Sequence, residues 1–402
     1  MRILFLSTRS PYPLISGHSL RTYHMVKGAA QRHNVTLVTF TQLDVEEKKE
    51  NVEHLRGFCE DVFQFRIPMD MSRVNLVGAV CRNLLSPAPL VAEKYNVGPM
   101  RQKIRELLQG KRFDLVHVDL LPLSVYTNEF EDLPKLLANH NVESLRLKRW
   151  FQTEANPARK CYLGIQLLKL RRFELSVMNR FDCCVVVSEE DKQVLRKMGA
   201  RKDLFVVPNG TDTSFFSPNG ESVKEKSIVW LGHMDVHTNK DAVMYFWNEI
   251  YPLLRTRDPS IEMTFVGTGP PEEIVAAAER DRLIKVTGFV DDIRPYVGQA
   301  SVVVVPIRIG SGTRIKILDT MAMGKAIVST SVGCEGLNIA NGRNIMVADD
   351  PKSFSESVIE LLNDAKMRGE IEKEARDLAK TYDWGRMVEK QEAVYQHLVS
   401  GS

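Results

Sequence analysis

The sequence predicts an α/β chain of two domains, each a parallel sheet covered by helices on both faces. Three observations predict it. Short apolar runs of strand length alternate with segments of helical period along the chain, the pattern of parallel strands joined by crossover helices. The 402 residues exceed what one hydrophobic core ordinarily organises. The alternation pauses at a polar stretch with Pro and Gly, residues 214–225, and then starts again.

In the first half, apolar runs predict strands at 3–6, 35–40, 62–65, 115–118, 136–138, 185–187 and 205–207. Between them, helices are expected at 20–32, 44–59, 72–85, 97–108 and 189–198, with a long helical region over 142–180. In the second half, strands are expected at 228–231, 263–266, 284–287, 302–305, 326–329 and 345–347, and the chain closes with helices at 352–362, 367–381 and 384–399. These are two Rossmann-like halves divided at 210–225. Such sheets take ligands beyond the C-terminal ends of their strands, and two of them facing each other would enclose a cleft.

Composition narrows the function classes. Hydrophobic residues make up 44% and charged residues 26%, values of a soluble globular protein. The net charge of +3 carries no nucleic-acid signature. The cysteines Cys59, Cys81, Cys161, Cys183, Cys184 and Cys334 show no metal-ligand spacing, so buried thiols in a reducing cytoplasm are expected. The opening run Ile3-Leu4-Phe5-Leu6 is too short for a signal segment and reads as the first strand. No run approaches the apolar length of a membrane-spanning helix.

The stretch from Ser301 to Leu337, SVVVVPIRIGSGTRIKILDTMAMGKAIVSTSVGCEGL, is the most informative. The four valines from Val302 form a buried strand, and Pro306 ends it. Gly310, Ser311 and Gly312 make a loop with little side-chain bulk, and Thr313 is placed to cap a helix beginning at about Arg314. Ile315, Leu318 and Ala322 then share one face. A strand, a glycine loop and a helix N-terminus make an anion site, to which Arg314 and Lys316 add cations. The whole string resembles the donor-site signature of retaining, nucleotide-sugar-dependent glycosyltransferases of the group 1 family (family 4-like), which have the GT-B fold. Asp319 takes the second acidic place of that signature, followed by Met321-Ala322-Met323-Gly324-Lys325-Ala326-Ile327-Val328. Ser311 stands where the first acidic residue is usual, a departure that bears on how the sugar hydroxyls are read.

The resemblance implies roles for residues along the chain. Residues 1–212 would bind the acceptor, 213–382 the nucleotide sugar, and the helix in 383–402 would cross back to the first domain, with Asp383-Trp384 near its start. Gly17, in the loop after the first strand, matches a glycine that family members place over the donor phosphates and the acceptor. His140, in the string His140-Asn141-Val142-Glu143, matches a histidine that faces the donor sugar. Pro208-Asn209-Gly210-Thr211-Asp212 resembles a turn at the end of the first domain, and Asn-Gly suits hinge geometry. Gly232 and His233 stand where many members carry Gly-Arg, with Lys240 further on, so the usual diphosphate-binding pair is absent in form. Arg314 and Lys316 are the candidates to supply that charge. The loops at Gly267 and at Phe289 and Val290 would line the base, and Asp319 would hold the ribose.

Residues 144–172 hold eight basic residues and one acid, Glu154, interleaved with Leu145, Leu147, Trp150, Phe151 and Tyr162. A solvated helix face and a surface for anionic lipid both fit that run. The segment 72–85 adds an apolar stripe at Val74, Val77, Val80 and Leu84 that fits either a core or a surface. No Asp-x-Asp flanked by apolar residues offers a metal site, and no cofactor is expected besides the nucleotide sugar as donor substrate. The expected reaction is transfer of a sugar to a glycan or lipid-linked acceptor in cell-surface polysaccharide or glycoconjugate synthesis. It would take place in the cytoplasm or at the inner face of the membrane. A nucleotide-sugar 2-epimerase and a non-catalytic nucleotide-binding subunit on the same fold are the alternatives.

Overall fold

The computed structural model describes residues 1–71, 73–218, 220–310 and 312–400. The chain divides into two compact units: Met1–Pro208 with Gly385–Ser402, and Asn209–Trp384. Each is an α/β unit with an all-parallel sheet, the fold class expected from the sequence.

The strands of unit 1 are β1 (Arg2–Ser7), β2 (Asn34–Thr41), β3 (Asp61–Arg66), β4 (Leu115–Asp119), β5 (Lys135–Ala138), β6 (Cys183–Val186) and β7 (Asp203–Val206). They pair in the order β3-β2-β1-β4-β5-β6-β7, with Ile3 level with Val35 on one side and Leu115 on the other. Ile3, Leu4, Phe5 and Leu6 have no exposed surface, as expected for a central strand covered on both faces. The helices are α1 (Gly17–Ala30), α2 (Lys49–Arg56), α3 (Arg73–Leu84), α4 (Leu90–Lys94), α5 (Gly98–Gly110), α6 (Glu143–Thr153), α7 (Pro157–Met178) and α8 (Glu189–Met198).

Unit 2 has β8 (Ser227–Leu231), β9 (Glu262–Val266), β10 (Ile284–Val286), β11 (Val302–Val305), β12 (Ala326–Ser329) and β13 (Met346–Val347), in the order β10-β9-β8-β11-β12-β13. Its helices are α9 (His237–Tyr245), α10 (Tyr251–Arg257), α11 (Glu272–Arg280), α12 (Arg294–Gln299), α13 (Ile315–Ala322), α14 (Pro351–Asn363) and α15 (Ala365–Lys380). The last helix, α16 (Trp384–Ser400), lies almost wholly in unit 1. There it packs on α1 so closely that a Cβ on Gly28 would overlap Val388. The Gln391 amide donates to Met25 O, and Tyr395 pairs with His117.

Three helical expectations are corrected. The region 142–180 is two helices, because Asn156 caps a new start by accepting from Arg159 N at 3.1 Å and Pro157 fills the first helical position, where no N–H is needed. The region 44–59 is a 3-10 turn, Asp44–Glu47, followed by α2. Helix α13 starts at Ile315, one residue later than expected, and Thr313 is not its cap.

Candidate functional site

In unit 2 the strand order reverses beside β8. The chain runs outward through β9 and β10, then returns to place β11 on the other side. The loops after β8 and β11 part at this point, which is where open α/β sheets bind ligands. Gly232, Gly267 and Gly288 follow β8, β9 and β10, all with φ in the left-handed range (146°, 135° and 67°). Their backbones are laced together: Gly232 N donates to Val266 O at 3.0 Å, Gly267 N to Gly288 O at 3.2 Å, and Met234 N to Thr268 O at 2.8 Å. The approach is so close that a Cβ on Gly267 would overlap Gly232 O. His233 is fixed by a 2.8 Å hydrogen bond between its Nδ1 and Thr268 Oγ1. Beyond Gly288, Phe289 stands 70% exposed, while Val290 leans on the core.

Lys316 joins the two sides of the switch point. It projects from the first turn of α13, and its ammonium donates to Leu231 O at 2.9 Å and to Asn239 Oδ1 at 3.4 Å. It also lies 5.1 Å from the centre of the Trp230 ring. Asn239 in turn donates to His233 O at 2.9 Å, so it ties the lysine to the β8 loop. Burial, with the neighbouring charge of Arg314, pushes the ammonium down to about 7. Arg314 occupies the N-cap position of α13 and folds back to donate to Gly312 O at 2.9 Å, packing against Gly310.

Behind this loop, Thr313 accepts at Oγ1 from the Asn209 amide at 2.6 Å, and the cap position of α13 falls one residue later, on Arg314. Thr211 donates to Asp319 Oδ1 at 2.7 Å, and burial pushes that carboxyl up to about 7. Gly210 fits between Asn209 and Thr211 only because it lacks a side chain: a Cβ there would sit 2.7 Å from the Trp384 ring. The segment expected to act as a hinge turn is thus also the brace of the glycine loop and of Asp319. Ser311 lies outside the described residues.

Unit 1 has a matching reversal between β1 and β4. The loop after β1 leads into α1, whose N-cap Ser16 makes a reciprocal capping box with Ser19; Gly17 is the first helical residue. His18 follows. Its Nδ1 is 3.2 Å from His140 Nδ1, and its Nε2 is 3.4 Å from Thr8 Oγ1. His140, after β5, places Nε2 2.7 Å from Asp119 Oδ1 at the end of β4, and Thr22 donates to Asp119 Oδ2 at 2.6 Å. One assignment of protons satisfies every pair: Thr8 donates to His18, His18 to His140, and His140 to Asp119. Burial and the adjacent His140 push His18 down to about 3, in keeping with a neutral ring. Burial alone would raise the Asp119 carboxyl, but the facing imidazoles, His140 first, hold it well below the usual carboxylate range. Nearby, the buried Arg21 guanidinium donates to Val207 O and Pro208 O, each at 2.8 Å.

Among the described residues, His18, Asp119 and His140 are the group whose metal-ligating atoms converge, all within 4.8 Å of one another. The donor chain just given accounts for that convergence. Both ring nitrogens of His140 are engaged, so a sugar hydroxyl would have to replace His18 at Nδ1. Of the residues singled out from sequence, Gly232, His233, Gly267 and Lys316 come together in unit 2, and Gly310, Gly312, Thr313 and Arg314 form the adjoining loop. His140 and the neighbour of Gly17 meet in unit 1. Sequence reasoning missed His18, Asp119, Asn239 and Thr211. His18 adjoins the singled-out Gly17, and Asp119 directly follows an expected strand end; those were the available signals.

Residues 225–364 match the family described as glycosyl transferases group 1, and residues 15–215 match Glycosyltransferase Family 4. An uncharacterized 44.6 kDa protein of the cps region of Klebsiella pneumoniae is 21% identical over 370 residues, 89% of this chain and 90% of that protein. The D-inositol 3-phosphate glycosyltransferase of Corynebacterium diphtheriae is 26% identical over 251 residues, 55% of this chain and 57% of that protein. In fold, the chain is similar to sucrose-phosphate synthase from Thermosynechococcus elongatus, with a TM-score of 0.72 at 14% identity and 100% of both chains covered. It is also similar to Anabaena HepE in complex with UDP, with a TM-score of 0.67 at 14% identity, covering 99% of this chain and 100% of that one.

Proposed function

Because the chain belongs to the group 1 glycosyltransferases, with a family 4 first half, we propose that it moves a sugar from a nucleoside-diphosphate sugar to a glycan or lipid-linked acceptor. The observation that carries this reading is the convergence of a buried ammonium, Lys316, with the glycine-lined strand ends of unit 2 at the switch point. A diphosphate there meets one cation at Lys316, a second at Arg314, and the amides around Gly312 and Thr313 at the start of α13. These groups neutralise charge as the nucleoside diphosphate departs, the largest demand of the transfer step. The nucleotide sugar is the substrate, and the proposed chemistry calls on no metal and no separate cofactor. Asp319, held at one oxygen by Thr211, offers the other to the donor ribose, and the loops at Gly267, Phe289 and Val290 line the base. The UDP complex of the Anabaena neighbour supports a nucleotide in this kind of fold.

In unit 1 the donor chain ending on Asp119 orients His140, whose Nδ1 can hydrogen-bond a sugar hydroxyl in place of His18. Retention at the anomeric carbon comes with the family resemblance: the acceptor attacks the face the diphosphate leaves. Among the described residues, no helix is long and apolar enough to cross a membrane. A cytoplasmic enzyme working at the membrane's inner face, in cell-surface glycan assembly, is the setting we propose.

Thermal stability against UDP, GDP, ADP, NAD and their sugar conjugates tests the donor site. A ligand at 100 times its dissociation constant stabilises by about 2.7 kcal/mol. One nucleoside diphosphate and its sugars should raise the melting temperature, and Lys316→Met should abolish the rise. No shift with any of them, or an equal shift in Lys316→Met, would overturn the assignment.

A further inference from the structure

The basic region reads differently once α3 is seen beside it. Helix α3 exposes Leu76 (44%), Val77 (61%) and Leu84 (49%), and Leu85 just beyond it is 93% exposed. Val77 and Leu84 are seven residues apart, two turns of one helix face, so this stripe faces outward rather than into the core. Helix α7 exposes Ile165 and Leu168 (65%). The two helices are clamped by polar contacts: Gln166 donates to Asn83 Oδ1 at 2.7 Å in a buried bond and Lys169 to Asn83 O at 2.5 Å, while Leu90 N of α4 donates to Gln166 Oε1 at 2.9 Å. Leu84 and Leu85 follow Asn83 in the chain, and Ile165 and Leu168 flank Gln166, so the clamp ties both sets of exposed aliphatics to one part of unit 1.

The charges in these segments have one sign. Residues 72–92 and 155–173 contain no Asp or Glu, while Arg82, Arg159, Arg171 and Arg172 are exposed. Along α6, by contrast, Leu145 and Leu147 pack on the core, so part of the apolar interleaving read from the sequence is interior. Glu93, in α4, is the acid nearest this surface, beside Arg82 and Tyr162, and the basic residues outnumber it. Large exposed aliphatics set among an excess of basic residues suit a negatively charged interface that is also apolar inside. An acidic protein surface would match the charge and leave Val77, Leu85 and Leu168 in water.

We infer that α3 and α7 form a docking surface for an anionic lipid membrane, with the aliphatics entering the interface and the arginines meeting the headgroups. This rests on the membrane-side reading given above but not on the donor site, and it moves the contact from residues 144–172 alone to the α3–α7 pair.

The test is co-sedimentation of the full chain with vesicles of equimolar phosphatidylglycerol and phosphatidylcholine, and with phosphatidylcholine alone. Binding is expected to the mixture, weakened by salt, and absent with phosphatidylcholine alone. Leu76→Ser with Val77→Ser, and separately Leu168→Ser, should each lower binding by about tenfold, because each removes buried apolar area. Arg171→Gln with Arg172→Gln should do so through charge. All these side chains are on the surface, so melting temperature and nucleotide stabilisation should stay at wild-type values. If wild type fails to sediment with the mixture, or the variants sediment equally, the surface is not a membrane site, whatever the nucleotide panel shows. Concentration-dependent self-association that the same substitutions abolish would overturn the inference in favour of a second copy of this chain.

Discussion

Replacing Gly267 by Ala tests whether the strand-end loops of unit 2 are held as tightly as their geometry implies. The residue has φ of 135°, which L side chains avoid, at a cost of about 1–2 kcal/mol. The new Cβ would overlap Gly232 O and lie 2.7 Å from Gly232 C, both backbone atoms, so no rotamer change relieves it. Gly232 cannot simply slide away. Its N–H is bonded to Val266 O, and on its other side Asn239 Nδ2 sits 3.1 Å from where its own Cβ would be. Relief means breaking the bonds at Gly232 N and Gly267 N, each worth about 1 kcal/mol. The sum is about 3–4 kcal/mol, a fall in melting temperature on the order of 10 °C for a unit of this size. Gly369→Ala is the matched control, since it lies exposed in α15 with open space around its Cβ and should stabilise by about 0.5–1 kcal/mol. Differential scanning calorimetry of both variants, with and without the nucleotide that stabilises the wild type, reads the result. A Gly267→Ala protein that melts and binds like wild type would refute the reasoning.

Two further outcomes follow from buried ionisable groups. Glu174 accepts from Glu143 N and Ser144 N at the start of α6, yet burial pushes its carboxyl up to about 7. The folded chain therefore holds this proton more tightly than the unfolded chain. Its contribution is fully present below about pH 4 and is lost as pH rises towards 7. Glu174→Gln should lessen the decline in stability between about pH 5 and pH 8, read by urea unfolding, and an unchanged slope would contradict it. Lys316 is pushed down to about 7, and a bound diphosphate favours its ammonium form. Nucleotide binding at about pH 8.5 should then take up close to one proton, measured by calorimetry in buffers of different ionisation heat. Zero uptake would show that this ammonium does not meet the diphosphate.

Much of this fold can be read in the chain because its strands are buried on both faces. Val302 to Val305 is an unbroken apolar run bounded by Ser301 and Pro306, and such a run has few other uses in a soluble protein. The division of residues 142–180 was also visible, in Asn156-Pro157, but helical period outweighed it. What the sequence conceals is direction and distance. It places Lys316 at a helix start, but not the turn of its ammonium back to Leu231 O, 85 positions earlier in the chain. The bonds from Thr211 to Asp319 and from Asn209 to Thr313 span similar lengths and follow from packing that no local pattern encodes. Val77 and Leu84 share a helical face, but periodicity alone does not say whether that face meets the core or the solvent.

The most direct test of sugar transfer is product analysis. The full chain is incubated with the nucleotide sugar that stabilises it and a lipid and glycan extract, and both donor and extract are examined by mass spectrometry. The expected result is release of the nucleoside diphosphate with the sugar attached to a component of the extract. A donor recovered intact, or with its sugar epimerised and the diphosphate bond unbroken, would contradict it.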